Sequence, residues 1–331
     1  MKLKILTVAT AWGSKHGGVN VFNYRMCCGL ANLGHSVICY VKQFTAEDLV
    51  DANTRRVTLK AIDKPSDEKW GLDDIGHIKY AEVDDVDVLV VHDIVCKAFL
   101  DQLPRKSTRL IVAAFIHTLY RDTDYFGGLS DDKRREKTEA QYALIESAHV
   151  AFTSGSWMAE QLSPARPTLS AKIRPFIPGR LDIQPRGGTE KGAITTFGRL
   201  SLGDDKKQAS SVLSAYHALA SSWRRDELAA EDLPDLRLLG VRCDVATQQE
   251  IKKSVFESSG WAARVEFLSF AHYYQFESSP TLQRVADSRV VVTPSVVESF
   301  GLTSLEAIGL ALPVTRNYSL DKRYDFIHTG E

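Results

Sequence analysis

The chain has 331 residues, enough for two domains of ordinary size that each bury a core of their own. Hydrophobic residues make up 44%, charged residues 25% and the formal net charge is -1, which excludes a disordered chain and any global field drawing it to nucleic acid or anionic lipid. No apolar run approaches the ~18–20 residues of a membrane-spanning helix, and five scattered cysteines without a C-x-x-C pair (Cys27, Cys28, Cys39, Cys96, Cys243) suggest reduced thiols in a cytoplasm.

From the N-terminus the pattern is strand, glycine turn, helix, repeated. The lysines and apolar run of M-K-L-K-I-L-T-V-A-T imitate a secretory leader, but the run ends within one strand length. Ile5–Thr10 is therefore read as a first buried strand, broken by Gly13, Gly17 and Gly18. A helix over about Val19–Leu33 follows, with Gly34 as its C-terminal cap. Buried strands are expected at Ser36–Val41, Val86–Val91, Leu110–Phe115 and His149–Thr153, with a charge-rich helix over about Ser130–Ser147 between the last two. Continuous Val/Ile/Leu runs separated by helices are the mark of parallel strands covered on both faces.

Between Lys172 and Lys191 the text turns to prolines (Pro175, Pro178, Pro185) and the Gly187–Gly188 pair, which reads as a linker. The same grammar then restarts. Strands are expected at Ala193–Phe197, Leu236–Leu239, Val265–Leu268 and Arg289–Thr293, and a helix at Lys207–Ser222. The expected architecture is α/β, with two facing Rossmann-like domains over residues 1–178 and 179–331 and ligand at the carboxyl ends of strands.

The strongest chemical signal lies between Pro294 and Glu306, in P-S-V-V-E-S-F-G-L-T-S-L-E. A strand runs into this loop, and a helix is expected from about Leu302 to Ala311, with Leu302, Leu305, Ile308 and Leu312 facing the sheet. Behind the small Gly301, the free N–H groups of Phe300, Gly301, Leu302 and Thr303 and the helix dipole would form an anion site suited to a diphosphate. Glu306, one turn on, can accept two hydroxyl hydrogen bonds from a ribose diol, and Glu298, in the loop, can reach a sugar hydroxyl beyond the phosphates.

Glu298, seven intervening residues and Glu306 resemble the E-x7-E motif of retaining GT-B glycosyltransferases, the broad family four, and the stretch through L-E-A-I-G-L-A-L-P-V is similar almost position by position. Phe197–Gly198–Arg199–Leu200 followed by Lys207 resembles that family's G-R-L…K element, whose cations neutralise the leaving diphosphate. Residues Leu202–Asp205 lengthen the loop here, so Lys206 competes for the lysine role; Lys207 keeps the family's distance to Ala215. Gly17–Gly18 resembles the glycine turn by which the N-terminal domain approaches the donor phosphate, and it lacks G-x-G-x-x-G spacing. His117 resembles the strand-end histidine near the anomeric carbon; His92 is a second strand-end histidine placed for the same cleft, beside Asp93. Base contacts are expected mainly from backbone around Val241 and Ser269–Phe270.

The resemblance implies metal-independent transfer of a hexose-type sugar from a nucleoside diphosphate to an acceptor hydroxyl, with retention. The expected partners are the nucleotide-sugar donor and an acceptor of unspecified class, with no nucleic acid, no cofactor and no metal. A non-catalytic nucleotide-sugar-binding module on the same fold is the alternative, since the text stops where the family's tail would continue. The acidic run Asp84–Asp87 reads as a solvated turn before a strand, not as a D-x-D metal site. The basic cluster Lys133, Arg134, Arg135 and Lys137 is interleaved with Asp131, Asp132, Glu136 and Glu139, as in a salt-bridged exposed helix.

Overall fold

The structure, a computed structural model, describes residues 1–13, 18–62, 85–93, 110–121, 128–164, 166–177, 192–200, 209–226, 229–241, 246, 248–249, 253, 264–268, 284–293, 307 and 314–316. The chain divides into two compact units, one over Met1–Pro178 and one over Gly179–Arg323.

In the first unit the described strands are β1 (Lys4–Val8), β2 (Ser36–Val41), β3 (Val57–Ala61), β4 (Val88–His92), β5 (Ile111–Ile116), β6 (Val150–Ser154) and β7 (Ile173–Phe176). They form a parallel sheet in the order β3-β2-β1-β4-β5-β6-β7. Helix α1 (Gly18–Asn32) follows β1, and α2 (Ala46–Thr54) follows β2. α3 (Asp131–Ser147) and α4 (Ser156–Leu162) flank β6. Leu6, Leu89, Ile116, Leu144, Ile145 and Met158 are fully enclosed between sheet and helices. Each such side chain contributes about 1.5–3 kcal/mol relative to exposure.

Local chemistry sets the helix ends. Gly34, at φ +90, closes α1: its N–H reaches Ala31 O (3.0 Å) and the His35 N–H reaches Leu30 O (3.1 Å), the paired bonds of a Schellman end. Thr45 and Asp48 form a reciprocal capping box on α2. Ser130 caps α3 through the Lys133 N–H (3.4 Å). Arg134 and Arg135 of the basic cluster pair with Asp131 and Asp132 one turn back, while Lys137 lies over the Tyr120 ring.

Two strands of this first sheet depart from the sequence expectation. Val57–Ala61 alternates apolar and polar residues because one face of β3 is buried and the other meets water; among the described strands it pairs only with β2. Ile173–Phe176 was expected to begin a linker but forms β7, which among the described strands pairs with β6 alone. At a sheet edge Pro175 costs no ladder bond, since its missing N–H faces away from the partner.

The second unit holds β8 (Ala193–Leu200), α5 (Ala209–Arg225), β9 (Leu236–Val241), β10 (Val265–Leu268), β11 (Ser288–Thr293) and β12 (Val314–Arg316). Its described strands form a parallel sheet in the order β10-β9-β8-β11-β12. Val212, Leu213, Tyr216 and Ala220 recur at helical spacing on α5 and pack with Leu236, Leu238 and Val241. Arg316 thus closes a strand, where the sequence reading had only the P-V end of a motif.

Candidate functional site

In open parallel sheets ligands gather at the carboxyl ends of strands where the strand order reverses. In the first sheet that point lies between β1 and β4. Helix α1 begins beside it, and its first turns are polar inside: Asn20, Asn23 and Cys27, at three- and four-residue spacing, are all buried. Asn20 ties the helix to the loop after β1, its Oδ1 accepting from the Thr10 hydroxyl (3.0 Å) and the Ala11 N–H (3.1 Å).

Register brings the two histidines together. His92 ends β4 opposite Phe115 of β5, and His117 stands just beyond Ile116. Nδ1 of His92 lies 3.0 Å from Nε2 of His117. On its other side, His92 Nε2 lies 3.0 Å from Asn23 Oδ1. Ile116 pairs with Thr153, so Ser154 lies beside His117, its Oγ 3.5 Å from Nδ1. Phe22 of α1 presents its ring edgewise to both imidazoles, at 5.9 and 5.2 Å between centroids, and Phe115 lies nearly parallel to His117.

Both rings are held neutral at physiological pH. Burial takes His117 down to about 4, and burial followed by the nearby His117 ring holds His92 well below its usual value. Asp93 takes a left-handed conformation (φ 52) that Asp tolerates better than most residues. Its Oδ1 accepts the His117 N–H (3.1 Å), and the Thr118 N–H also bonds the carboxylate. Burial outweighs these bonds and pushes its carboxyl up to about 7. His92 and His117 are thus one assembly with Asp93, where the sequence showed only strand-end residues. Asn23 and Ser154 were not anticipated, although an asparagine facing inward at i+3 from another is itself a signal.

Gly18 is the first residue of α1, and Gly17 lies outside the described residues. Arg199 lies within β8 near its carboxyl end, and Val241 closes β9. Lys206, Lys207, Ser269, Phe270, Glu298, Phe300, Gly301, Leu302, Thr303 and Glu306 lie outside the described residues. Their placement in the chain is still informative. The second sheet reverses its order between β8 and β11, which are direct neighbours, with Thr196 Oγ1 donating to Val292 O (3.1 Å). Arg199 and the chain leaving Thr293 toward Pro294 therefore stand at the carboxyl ends of adjacent strands, at the reversal.

Among the described residues, no group of three or more His, Cys, Asp or Glu side chains could hold a metal ion, and no helix is long and apolar enough to cross a membrane. Asp85 and Asp87 of the acidic turn are engaged by Lys4, Asp85 through its ammonium and Asp87 through its backbone N–H (2.8 Å).

The model of the family 4 glycosyltransferases in conflict systems matches residues 6–317. No curated protein matches the sequence. Among solved structures, the chain is similar to HepE of Anabaena in complex with UDP and glucose, with TM-score 0.62 and 14% identity over 94% of this chain and 80% of that one. It is similar to TarM, with TM-score 0.65 and 8% identity over 96% and 85%. It is also similar to the catalytic domain of starch synthase IV from Arabidopsis thaliana bound to ADP and acarbose, with TM-score 0.61 and 12% identity over 97% and 86%. With a family model spanning nearly its whole length and a GT-B fold, this chain belongs to the family 4 glycosyltransferases in conflict systems.

Proposed function

We propose that the protein moves a hexose-type sugar from a nucleoside diphosphate to an acceptor hydroxyl, with retention and without a metal ion. The observation that carries this reading is that β8, which holds Arg199, and β11, whose last residue Thr293 immediately precedes Pro294 in the sequence, end side by side at the reversal of the second sheet. Such points in α/β sheets collect phosphate. The bound UDP of HepE and ADP of starch synthase IV support a nucleotide-sugar donor.

In this reading Arg199, Lys207 and the backbone N–H groups of Phe300–Thr303 meet the diphosphate, whose charge grows as the anomeric C–O bond breaks. Glu306 holds the ribose diol, Glu298 the transferred sugar, and Gly17–Gly18 give the phosphates close backbone approach. The acceptor oxygen bonds to the anomeric carbon, and its proton passes to the departing phosphate oxygen on the same face. His117, neutral and with one unprotonated nitrogen, accepts a hydrogen bond from a hydroxyl at the reaction centre. The free, mostly buried thiols Cys27, Cys28 and Cys39 support a cytoplasmic site of action.

The test is a thermal-shift screen of the chain against UDP, GDP and ADP sugars, then release of nucleoside diphosphate from the donor that raises the midpoint. Turnover that survives EDTA is expected. Binding without turnover would make the protein a nucleotide-sugar-binding module, and activity lost to EDTA and restored by manganese would refute the metal-free reading.

A further inference from the structure

The buried polar groups beneath His117 form a chain whose direction can be worked out atom by atom. It begins at two thiols under α1. The Cys39 thiol faces its neighbouring Tyr40 carbonyl (4.0 Å), which leaves a sulfur lone pair for Asn23 Nδ2 at 3.3 Å. The Cys27 thiol donates to Asn23 Oδ1 (3.8 Å) and contacts the Thr7 hydroxyl (3.3 Å). Both sides of the Asn23 amide are thereby matched, nitrogen to a lone pair and oxygen to a donor.

With Oδ1 facing it, His92 Nε2 must carry a proton. A neutral ring has one proton, so His92 Nδ1 is bare and can only accept. His117 Nε2, 3.0 Å away, must then be the donor, which leaves His117 Nδ1 bare. The partner of that last atom is the Ser154 hydroxyl at 3.5 Å, the longest link between the rings and their neighbours and the easiest for another hydroxyl to displace.

We propose that Asn23, acting through His92, is a positioning residue that fixes the tautomer of His117, so that Nδ1 of His117 is kept as a proton-accepting atom. The rings have little freedom to escape this arrangement. Phe22 and Phe115 confine their planes, and Asp93 holds the His117 backbone. The opposite tautomer would present an N–H in place of a lone pair and could not accept from a sugar or acceptor hydroxyl. The consequence for sugar transfer rests on the function proposed above, whereas the tautomer is a property of the unliganded protein.

Long-range ¹H–¹⁵N correlation spectra of the histidine rings at pH 7 test it, the two rings being assigned by their loss in His92→Gln and His117→Gln. In the native protein both rings are expected to carry the proton on Nε2. Asn23→Leu removes the acceptor, and His92→Phe cuts the chain one link later with a ring of similar shape. Each should leave His117 divided between its two tautomers, and kcat for the donor that the screen identifies should fall roughly two- to tenfold at nearly constant KM, as the competent fraction falls. Asn23→Asp keeps the acceptor oxygen and should restore both readouts. A native His117 protonated on Nδ1, or an unchanged ring pattern in a folded Asn23→Leu or His92→Phe variant, would overturn the proposal. The expected tautomer in a protein that turns over no nucleotide sugar would sink the transferase reading and leave the chain of hydrogen bonds standing. Turnover with the opposite tautomer would do the reverse.

Discussion

Replacing Asp93 by asparagine should make the protein more stable, and increasingly so as the pH rises. The carboxyl is buried at the end of β4 and lifted from 3.8 to about 7, chiefly by desolvation. The folded state therefore holds a proton that the unfolded chain releases near pH 4. The stability this proton contributes is fully present below pH 3.8 and is lost as the pH climbs through about 7. Each pH unit in that window is worth about 1.4 kcal/mol, and about three units give a total near 4 kcal/mol. Asparagine keeps an oxygen for the N–H groups of His117 and Thr118, carries no charge to desolvate, and tolerates φ 52 at least as well. Buried histidines with lowered pKa oppose this trend below pH 6.5 in both proteins, so the informative quantity is the difference between the two unfolding curves. Urea unfolding at intervals from pH 4.5 to 8 should show that difference growing by about 1.4 kcal/mol per unit and flattening above pH 7. A constant offset, or a wild-type protein that gains on the variant at alkaline pH, would refute the reasoning.

Gly192 precedes β8, and a methyl group there would lie 2.5 Å from the Arg289 nitrogen and 2.6 Å from the Asp287 oxygen, both backbone atoms that cannot rotate away. Gly192→Ala should cost about 3 kcal/mol, the upper range for overpacking, and a melting midpoint within a degree of wild type would contradict it. If Glu306 holds ribose, Glu306→Ala should weaken bare nucleoside diphosphate by roughly 10–100-fold, the worth of a charged hydrogen bond. Glu298→Ala should leave that affinity unchanged while turnover collapses; calorimetric titration showing equal losses in both variants would remove the distinction.

The sequence made most of the fold legible because strands covered on both faces are written as unbroken apolar runs. Ser36–Val41 and Val265–Leu268 could be read to the residue. The edge strands of the first sheet were hidden for opposite reasons: V-T-L-K-A alternates because one face meets water, and I-R-P-F carries a proline that only an edge accepts. At the site, His92 and His117 were visible singly, since histidine at the end of an apolar run is uncommon. Their contact was not, because it depends on the β4–β5 register across 25 residues of chain. The partner of Asn23 was hidden for a related reason. Helical spacing marks which face Asn23 occupies but not which side chain lies above that face.

The position of β1 has a consequence for the order in which the chain can fold. This first strand lies in the middle of its sheet, between β2 and β4, and its Lys4 N–H is bonded to the Asp87 carboxylate, 83 residues away. During synthesis β1, β2 and β3 leave the ribosome well before β4, so the inner side of β1 (Ile5–Thr7) waits without its partner Val88–Val90. Parallel pairing across so long a separation is slow, because the intervening loop must be closed before any ladder bond repays it. The emerging chain thus carries an open, apolar strand edge for seconds at ordinary elongation rates of about 5–20 residues per second. That edge, far more than the finished molecule, is where chaperones would act and where overexpression would drive aggregation.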